Sequence, residues 1–327
     1  MKSSCHVCFR KCLLSEGKRG VCGARECLNG KVVPVNYGRI SSMALDPVEK
    51  KPFRHFMPGS YILSVGSTGC NLRCPFCQNS EISWSEEAMR NQETSRYISP
   101  EDLVSLAEKL KPQGNIGVAF TYNEPLISYE YVRDTSRILH KRGLKSVMVT
   151  NGTVDISVLN ELLGLVDAMN IDLKGFTSGF YKKVLKGDLE MVKSFISMAV
   201  TGCHVELTTL IIPGENDSEA EIRELARWVA SLKVYGAVTS GAEIPLHITR
   251  FFPAFMMTDR RATDVASVYR LAAVAGEYLK FFIPETADIF IDLKICFLRI
   301  LILRILFRKS RFIFKTSFLL CFRGPAV

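Results

Sequence analysis

The stretch that decides the fold is Cys70-Asn-Leu-Arg-Cys74-Pro-Phe-Cys77, in which three cysteines have the spacing C-x3-C-x2-C. It comes directly after residues 61–67, whose apolar character predicts a β-strand. Three thiolates on one short loop can bind three irons of a four-iron cluster, which takes four cysteines when fully ligated. The fourth iron then stays open to another ligand, as a catalytic metal site requires. The alternatives are a zinc knuckle and an ordinary cluster closed by a further cysteine.

Downstream of this loop, strand-like and helix-like segments alternate. Strands are predicted over residues 61–67, 116–121, 146–150, 168–173, 205–212 and 244–251. Helices are predicted from Ser99 onward and at about 126–142, 155–165, 187–200, 217–233 and 262–278. This alternation is typical of parallel βαβ units. Six such units fit a barrel or partial barrel, with a doubly wound sheet as the rival, and in either fold the chemistry belongs at the carboxyl ends of the strands.

Polar residues follow the ends of several predicted strands. Glu124 follows the second strand, Asn151 the third, and Asp172 and Lys174 end the fourth. Each also has a plain structural interpretation, namely an exposed turn glutamate, an Asn-Gly turn and an ion pair. His247 lies in the sixth strand, where it could donate a proton or bind a ligand, or could be a core histidine with satisfied hydrogen bonds.

A second cysteine group occupies the N-terminal region. Cys5, Cys8, Cys12 and Cys22 have the spacing C-x2-C-x3-C-x9-C. Four thiolates can close a tetrahedral zinc site or hold an iron–sulfur cluster, and the spacing does not choose between them. Unligated buried thiols are the remaining alternative. Residues 1–55 are weakly periodic, so we predict a small cysteine-rich, metal-binding extension.

Composition and charge exclude several classes of protein. The chain has 327 residues, 47% apolar and 23% charged, which excludes a disordered or collagenous protein. Its net charge is +9, but residues 294–323 carry eight basic and no acidic residues, so the rest lacks the basic surface of a nucleic-acid-binding protein. Eleven cysteines without a secretory signal pattern predict a cytoplasmic protein that uses them for metal or redox chemistry. No apolar run approaches the ~18 residues of a membrane span.

The sequence changes character after residue 280. Residues 281–327 are dense in Ile, Leu and Phe with Arg inserted, and they contain no turn or cap signals. We therefore predict three parts: the extension 1–55, a barrel over 56–280 and an aberrant tail over 281–327. One interpretation of the tail is a segment translated out of frame. The other is a membrane-surface helix, because Arg304, Arg308, Arg311 and Lys315 would share one helical face.

Taken together, these motifs resemble the radical S-adenosylmethionine (SAM) superfamily, and within it the radical SAM enzyme of the AmmeMemoRadiSam system, a homologue of pyruvate formate-lyase activating enzyme. The resemblance covers about residues 5–278 and includes the aromatic Phe76 before the last cysteine of the run. It also includes Thr121–Pro125, with Tyr122 and Asn123 where many members have two glycines, and Asp172–Lys174.

The resemblance implies a (βα)6 partial TIM barrel with a [4Fe–4S] cluster on Cys70, Cys74 and Cys77. It further implies reductive cleavage of SAM to a 5′-deoxyadenosyl radical that abstracts hydrogen from an unidentified substrate. Glu124 would accept the SAM ammonium group, as a carboxylate can through charge-assisted hydrogen bonds. The residues implied in SAM binding are Phe76, Tyr122, Asn123, Glu124, Asn151, Asp172, Lys174 and His247.

The resemblance also implies an electron donor such as flavodoxin or ferredoxin, and a small-molecule or protein substrate. Two other functions stay open. One is a glycyl-radical-enzyme activase, which abstracts hydrogen from a backbone glycine of a partner protein. The other is a non-catalytic iron–sulfur or zinc protein for electron transfer or binding, which explains the cysteines but not the polar residues at strand ends. Beyond residue 280 the chain lacks the Ile-Gly-Asn strand and the Cys-Pro-x-Cys pair expected of the AmmeMemoRadiSam group.

Overall fold

One large sheet organises the described residues of this computed structural model, which are 2–83, 85–92, 95–234 and 240–286. The strands are β1 (Lys2–Ser4), β2 (Leu13–Ser15), β3 (Arg25–Leu28), β4 (Lys31–Pro34), β5 (Arg39–Ile40), β6 (Ser42–Pro47), β7 (Tyr61–Gly66), β8 (Arg96–Tyr97), β9 (Asn115–Phe120), β10 (Lys145–Thr150), β11 (Ala168–Asp172), β12 (His204–Ile211), β13 (Leu246–Arg250) and β14 (Phe282–Glu285). The helices are α1 (Ser80–Ser83), α2 (Glu86–Asn91), α3 (Pro100–Lys109), α4 (Tyr129–Lys141), α5 (Ile156–Asn160), α6 (Ser178–Phe180), α7 (Leu189–Ala199), α8 (Glu219–Ala230) and α9 (Val265–Ala275).

The strand order of the large sheet is β14-β13-β12-β11-β10-β9-β7-β6. Strands β7 and β9 to β14 pair in parallel and in chain order, while β6 pairs antiparallel with β7. A doubly wound sheet reverses its strand order at a switch point, so this continuous order excludes that rival. The arrangement is the predicted partial barrel, with β14 and β6 at its two edges within the described part of the chain.

The structure confirms the predicted strands and helices, and their burial and capping agree with the sequence pattern. All six predicted strands are present, as β7 and β9 to β13, and each is mostly buried. Helix α3 starts as its sequence indicates: Pro100 occupies the first turn, and the Ser99 hydroxyl accepts a hydrogen bond from the Asp102 amide at 3.1 Å. Its apolar face is buried through Leu103 and Ala107.

The concave face of the sheet encloses the side chain of Phe53, which is fully buried. It belongs to an apolar cluster with one residue from each of β7, β9, β10 and β11, and with the preceding Val48; these partners are Val48, Ile62, Ala119, Val147 and Ala168. The strand residues of this cluster lie on one side of four neighbouring strands, the side that Phe53 covers. Phe53 therefore fills the interior of the partial barrel.

The strands of the large sheet extend beyond the limits predicted for the barrel, residues 56–280. All described residues belong to one compact unit, Met1–Ile289, and β6 within the predicted extension is a strand of the large sheet. At the other end, β14 pairs with β13 across the predicted boundary at residue 280, because an uncovered edge of β13 needs backbone hydrogen-bond partners. The tail residues 287–327, with Arg304, Arg308, Arg311 and Lys315, lie outside the described residues. No helix among the described residues is long and apolar enough to cross a bilayer.

Candidate metal and cofactor site

The three-cysteine loop leaves the carboxyl end of β7. Cys74 is buried, whereas Cys70 and Cys77 are partly exposed. The Cys70 sulfur lies 3.8 Å from Asn151 Nδ2, and the Cys77 sulfur lies 3.9 Å from the Ser83 hydroxyl. Nearby N–H and O–H groups stabilise the thiolate form of a cysteine, which is the form that binds a metal.

Two charged groups lie near the sulfurs of this loop. Burial raises the pKa of the Cys70 thiol well above its usual range, and the carboxylate of Glu124 raises it further. Burial also raises the pKa of Cys74 to about 12, although the ammonium group of Lys174 acts in the opposite direction. A buried thiolate needs a compensating positive charge. Iron supplies that charge, so the donor set fits a metal cluster.

Glu124 joins the ends of β9 and β10. It is 2% exposed, and its Oε1 accepts hydrogen bonds from the Leu126 amide at 3.0 Å and the Thr150 hydroxyl at 2.8 Å. Its Oε2 accepts from the Asn151 amide at 2.8 Å. Burial raises the pKa of Glu124 to about 7 in spite of these donors. A carboxylate has about four acceptor positions, so three internal donors leave room for one more.

Asn151 connects this carboxylate to the cysteine loop. Its Nδ2 donates to Asn71 Oδ1 at 2.9 Å and lies 3.8 Å from the Cys70 sulfur. The predicted residues Glu124, Asn151 and Cys70 are therefore brought together, and the amide of Asn151 is engaged within the protein. Asn71 is a residue that the sequence analysis missed. It is fully buried and also donates to Thr153 Oγ1 at 2.9 Å, and no sequence pattern distinguishes it from any other residue between two cysteines.

Tyr122 occupies a position that favours glycine. Its φ of 72° lies in the left-handed region, which non-glycine residues rarely adopt. The hydroxyl of Tyr122 donates to Asp46 Oδ2 at 2.9 Å, and Lys51 Nζ lies 4.5 Å from the ring centroid. These contacts hold the ring in place.

Asn123 and Phe76 also make contacts within the protein. Asn123 Oδ1 accepts from the Ser67 amide at 3.0 Å, and its Nδ2 donates to the Gly69 carbonyl at 3.0 Å. Asn123 thereby ties the end of β9 to the chain just before Cys70. The Phe76 side chain is 5% exposed and packs in the main apolar core. In this structure both residues position the loop.

Asp172 and Lys174 form the ion pair considered in the sequence analysis. Lys174 Nζ lies 2.7 Å from Asp172 Oδ2 at the end of β11. Burial disfavours the charge of Lys174, but the Asp172 carboxylate outweighs it and raises the lysine pKa. The amide of Lys174 donates to the Tyr181 hydroxyl at 3.1 Å. Because both charges act on the Cys74 thiol, the pair lies beside the cysteine loop.

His247 is held between two carboxylates inside the barrel. It is 0% exposed, with Nε2 2.7 Å from Glu206 Oε2 and Nδ1 3.1 Å from Glu285 Oε1. Glu206 also accepts from the amides of Arg54 and His55 at 3.0 and 2.8 Å. Both imidazole nitrogens face buried carboxyl groups, an arrangement that favours the doubly protonated imidazolium. Burial opposes this charge, but the two carboxylates raise the His247 pKa. His247 is therefore bonded to buried acids, as in the core interpretation.

We expect Glu206→Gln to destabilise the protein most between about pH 4.5 and 6.5. The Glu206 pKa is lowered from 4.5 to about 2, so its stabilisation is present above pH 4.5 and is lost toward pH 2. The His247 pKa is raised from 6.5, so its stabilisation is present below pH 6.5 and is lost as the pH rises through the folded value. Breaking a buried ion pair costs about 3–5 kcal/mol.

Urea unfolding of the full chain at several pH values measures this effect. The control is Glu86→Gln, because the Glu86 side chain is 92% exposed in a surface pair with Arg90 and should contribute about 1 kcal/mol or less. A Glu206→Gln loss that is small, or equal at every pH, would contradict the buried imidazolium.

The N-terminal cysteines form a second group of thiols. Cys5, Cys8 and Cys22 are buried and Cys12 is partly exposed, all as free thiols. Among the described residues, no three His, Cys, Asp or Glu side chains surround a common position for a single ion. A four-iron cluster takes each thiolate on a different iron, so its ligands need not converge on one point.

Together the fold and the site define a class of protein. It is a partial α/β barrel with a thiol-rich loop and with polar side chains at the carboxyl ends of its strands. Barrel enzymes carry out their chemistry at this end of the barrel. The family model of the radical SAM superfamily matches residues 64–229. An uncharacterized protein of Methanocaldococcus jannaschii is 39% identical over 268 residues, which are 82% of this chain and 76% of that protein. The chain belongs to the radical SAM superfamily and is an enzyme of the radical SAM type.

More distant relatives share only part of the chain. A pyruvate formate-lyase-activating enzyme of Clostridium pasteurianum is 25% identical over 50% of this chain and 68% of its own length. A GTP 3′,8-cyclase of Lactiplantibacillus plantarum is 31% identical over 46% of this chain, and the chain spans 45% of that enzyme. Streptococcus suis SuiB bound to precursor peptide SuiA has a TM-score of 0.50 at 15% identity, covering 70% of this chain and 49% of SuiB. The structural likeness concerns the fold alone.

Proposed function

We propose that Cys70, Cys74 and Cys77 hold a [4Fe–4S] cluster and that the protein cleaves SAM reductively. The superfamily implies both cofactors. When bound and reduced, the cluster would supply one electron that breaks a C–S bond of SAM, giving methionine and a 5′-deoxyadenosyl radical that abstracts hydrogen from a substrate. The observation that carries this proposal is the contact of Asn151 with both Cys70 and the Glu124 network, because it joins the thiol loop to an acceptor for an ammonium group.

The chain's own residues would bind and orient SAM. Glu124 has one acceptor position left after its three internal donors, and an ammonium group would fill it. Because Glu124 is held from both β9 and β10, it would not need to rearrange when SAM binds. Lys174 carries a positive charge and could face a carboxylate, with Asp172 keeping it protonated and oriented. These residues would fix the sulfonium group beside the open iron, and such positioning supplies much of the catalysis.

The residues that hold the loop would complete the site. Asn123 fixes the backbone before Cys70, and Asn151 fixes Asn71 after it. A loop held on both sides would keep its three thiolates in place while the cluster changes charge. An external one-electron donor, such as flavodoxin or ferredoxin, would reduce the cluster.

The test is anaerobic and requires no knowledge of the substrate. The full chain is reconstituted with iron and sulfide and reduced with dithionite, SAM is added, and 5′-deoxyadenosine is measured by mass spectrometry. Its formation would support the proposal. A properly formed cluster without any 5′-deoxyadenosine would overturn it in favour of electron transfer or binding. Deuterium transfer from a glycyl-radical enzyme labelled at its glycine would instead identify an activase.

A further inference from the structure

The four N-terminal cysteines lie on one hairpin and on the turn Gly20–Gly23. Cys5 follows β1 and its amide donates to the Cys12 carbonyl at 2.8 Å across the β1–β2 hairpin. Cys8 begins the turn between these strands. Cys22 lies in the turn Gly20–Gly23, and a Cβ placed on Gly20 would lie 3.5 Å from the Cys12 sulfur. The turn that carries Cys22 thus packs against the Cys12 side chain.

The four thiols also lie near one another. Burial raises the pKa of Cys8 to about 11, and the neighbouring thiols of Cys22 and Cys5 raise it further. Burial likewise raises the pKa of Cys22, and Cys5 and Cys12 add to this rise. Thiolates gathered in a buried place need a positive charge beside them, which a metal supplies.

The two cysteine groups are linked by three contacts. The guanidinium of Arg10, two residues after Cys8, donates to the Asn71 carbonyl at 3.2 Å. The guanidinium of Arg73 donates to the Cys70 carbonyl at 2.7 Å and also to the Val21 carbonyl, next to Cys22. Gly69 has a φ of 100°, and a Cβ placed there would lie 2.7 Å from the Cys22 carbonyl oxygen.

We propose that Cys5, Cys8, Cys12 and Cys22 bind a second metal centre and that it braces the Cys70–Cys77 loop. Four thiolates are soft ligands that select zinc or an iron–sulfur cluster. A single zinc ion would require the four sulfurs to draw together around one point, whereas a cluster binds each thiolate on a separate iron. In both cases the metal fixes the turns that hold Asn71 and Arg73.

The first test measures metal in a full chain that carries Cys70→Ala, Cys74→Ala and Cys77→Ala, purified without oxygen. We expect about one zinc, or up to about four irons with matching sulfide, per chain. Adding Cys12→Ala or Cys12→Ser should remove most of this metal. Adding Cys27→Ala should not, because Cys27 is a buried thiol of the same region whose sulfur contacts Glu16. Zinc and iron analysis distinguishes the two centres, and absence of both metals overturns the proposal.

The second test measures whether the N-terminal centre stabilises the metal site of the Cys70–Cys77 loop. It uses chains that keep all three cysteines of this loop. The readout is the rate at which a chelator removes the loop's iron, followed by the loss of visible absorbance. Cys12→Ala should increase this rate about tenfold, a usual effect of losing an outer support of a metal site, and Cys27→Ala should leave it unchanged. Equal rates in the two variants would overturn the bracing role. Neither test depends on cleavage of SAM.

Discussion

Cys74→Ala is expected to lower the rate of 5′-deoxyadenosine formation to less than about one thousandth of the wild-type rate, equivalent to a barrier about 4 kcal/mol higher. Cys74 is the most buried of the three thiols of the loop, so its loss leaves one iron without a protein ligand in a site where water cannot easily replace it. A cluster bound by two thiolates does not have one distinct open iron. The Asp172–Lys174 pair would also lose its charged neighbour.

The measurement pairs product formation with iron and sulfide content after anaerobic reconstitution. The matched control is Cys203→Ala, because Cys203 is a partly buried free thiol whose sulfur contacts the Ala199 carbonyl at 3.6 Å and has no part in the loop. It should keep both the cluster and the rate. If Cys74→Ala retained SAM cleavage at the rate of this control, the assignment of the loop as the cluster site would be wrong.

The sequence was sufficient to predict the parts of the fold that depend on local signals. Strands β7 and β9 to β13 are apolar runs bounded by turn residues, and Ser99 and Pro100 mark the start of α3. The strand β14 could not be predicted, because Phe282–Glu285 has only four residues and includes Pro284 and Glu285, which are uncommon in strands. Its pairing depends on the neighbouring edge of β13, which is a tertiary property.

The residues of the candidate site were predictable from the sequence, but their hydrogen-bonding and ion-pair partners were not. Spacing identified Cys70, Cys74 and Cys77, and position at strand ends identified Glu124 and Asn151. The partners of these groups come from distant parts of the chain. His247 illustrates this limit, since its two acids are 41 and 38 residues away in the sequence and no local pattern couples them. Asn71 is a similar case, because its importance depends on contacts with Thr153 and Asn151, about 80 residues away.

Glu124→Gln is expected to weaken SAM binding about tenfold to a hundredfold. This range corresponds to the loss of about 1.5–3 kcal/mol, which a hydrogen bond to a charged group contributes. The substitution removes the negative charge that would face the SAM ammonium. It also creates a conflict, because Glu124 accepts from Leu126 and Asn151 amides on its two oxygens. The NH2 group of the glutamine, placed at either oxygen position, would face a backbone N–H, which is also a donor. Asn151 would then shift, and with it the contact to Cys70.

Equilibrium dialysis of SAM against the reconstituted, oxidised enzyme measures this affinity without turnover. Glu161→Gln is the control, since Glu161 is a partly exposed acid that pairs with Arg133 and should leave SAM affinity unchanged. Iron content and unfolding temperature separate the two roles of Glu124. If it acted only as a scaffold, Glu124→Gln would lower cluster yield and stability, while the fraction that still holds a cluster would bind SAM as the wild type does. A weaker affinity in that intact fraction is the result that requires a direct role, because no scaffold defect remains to explain it.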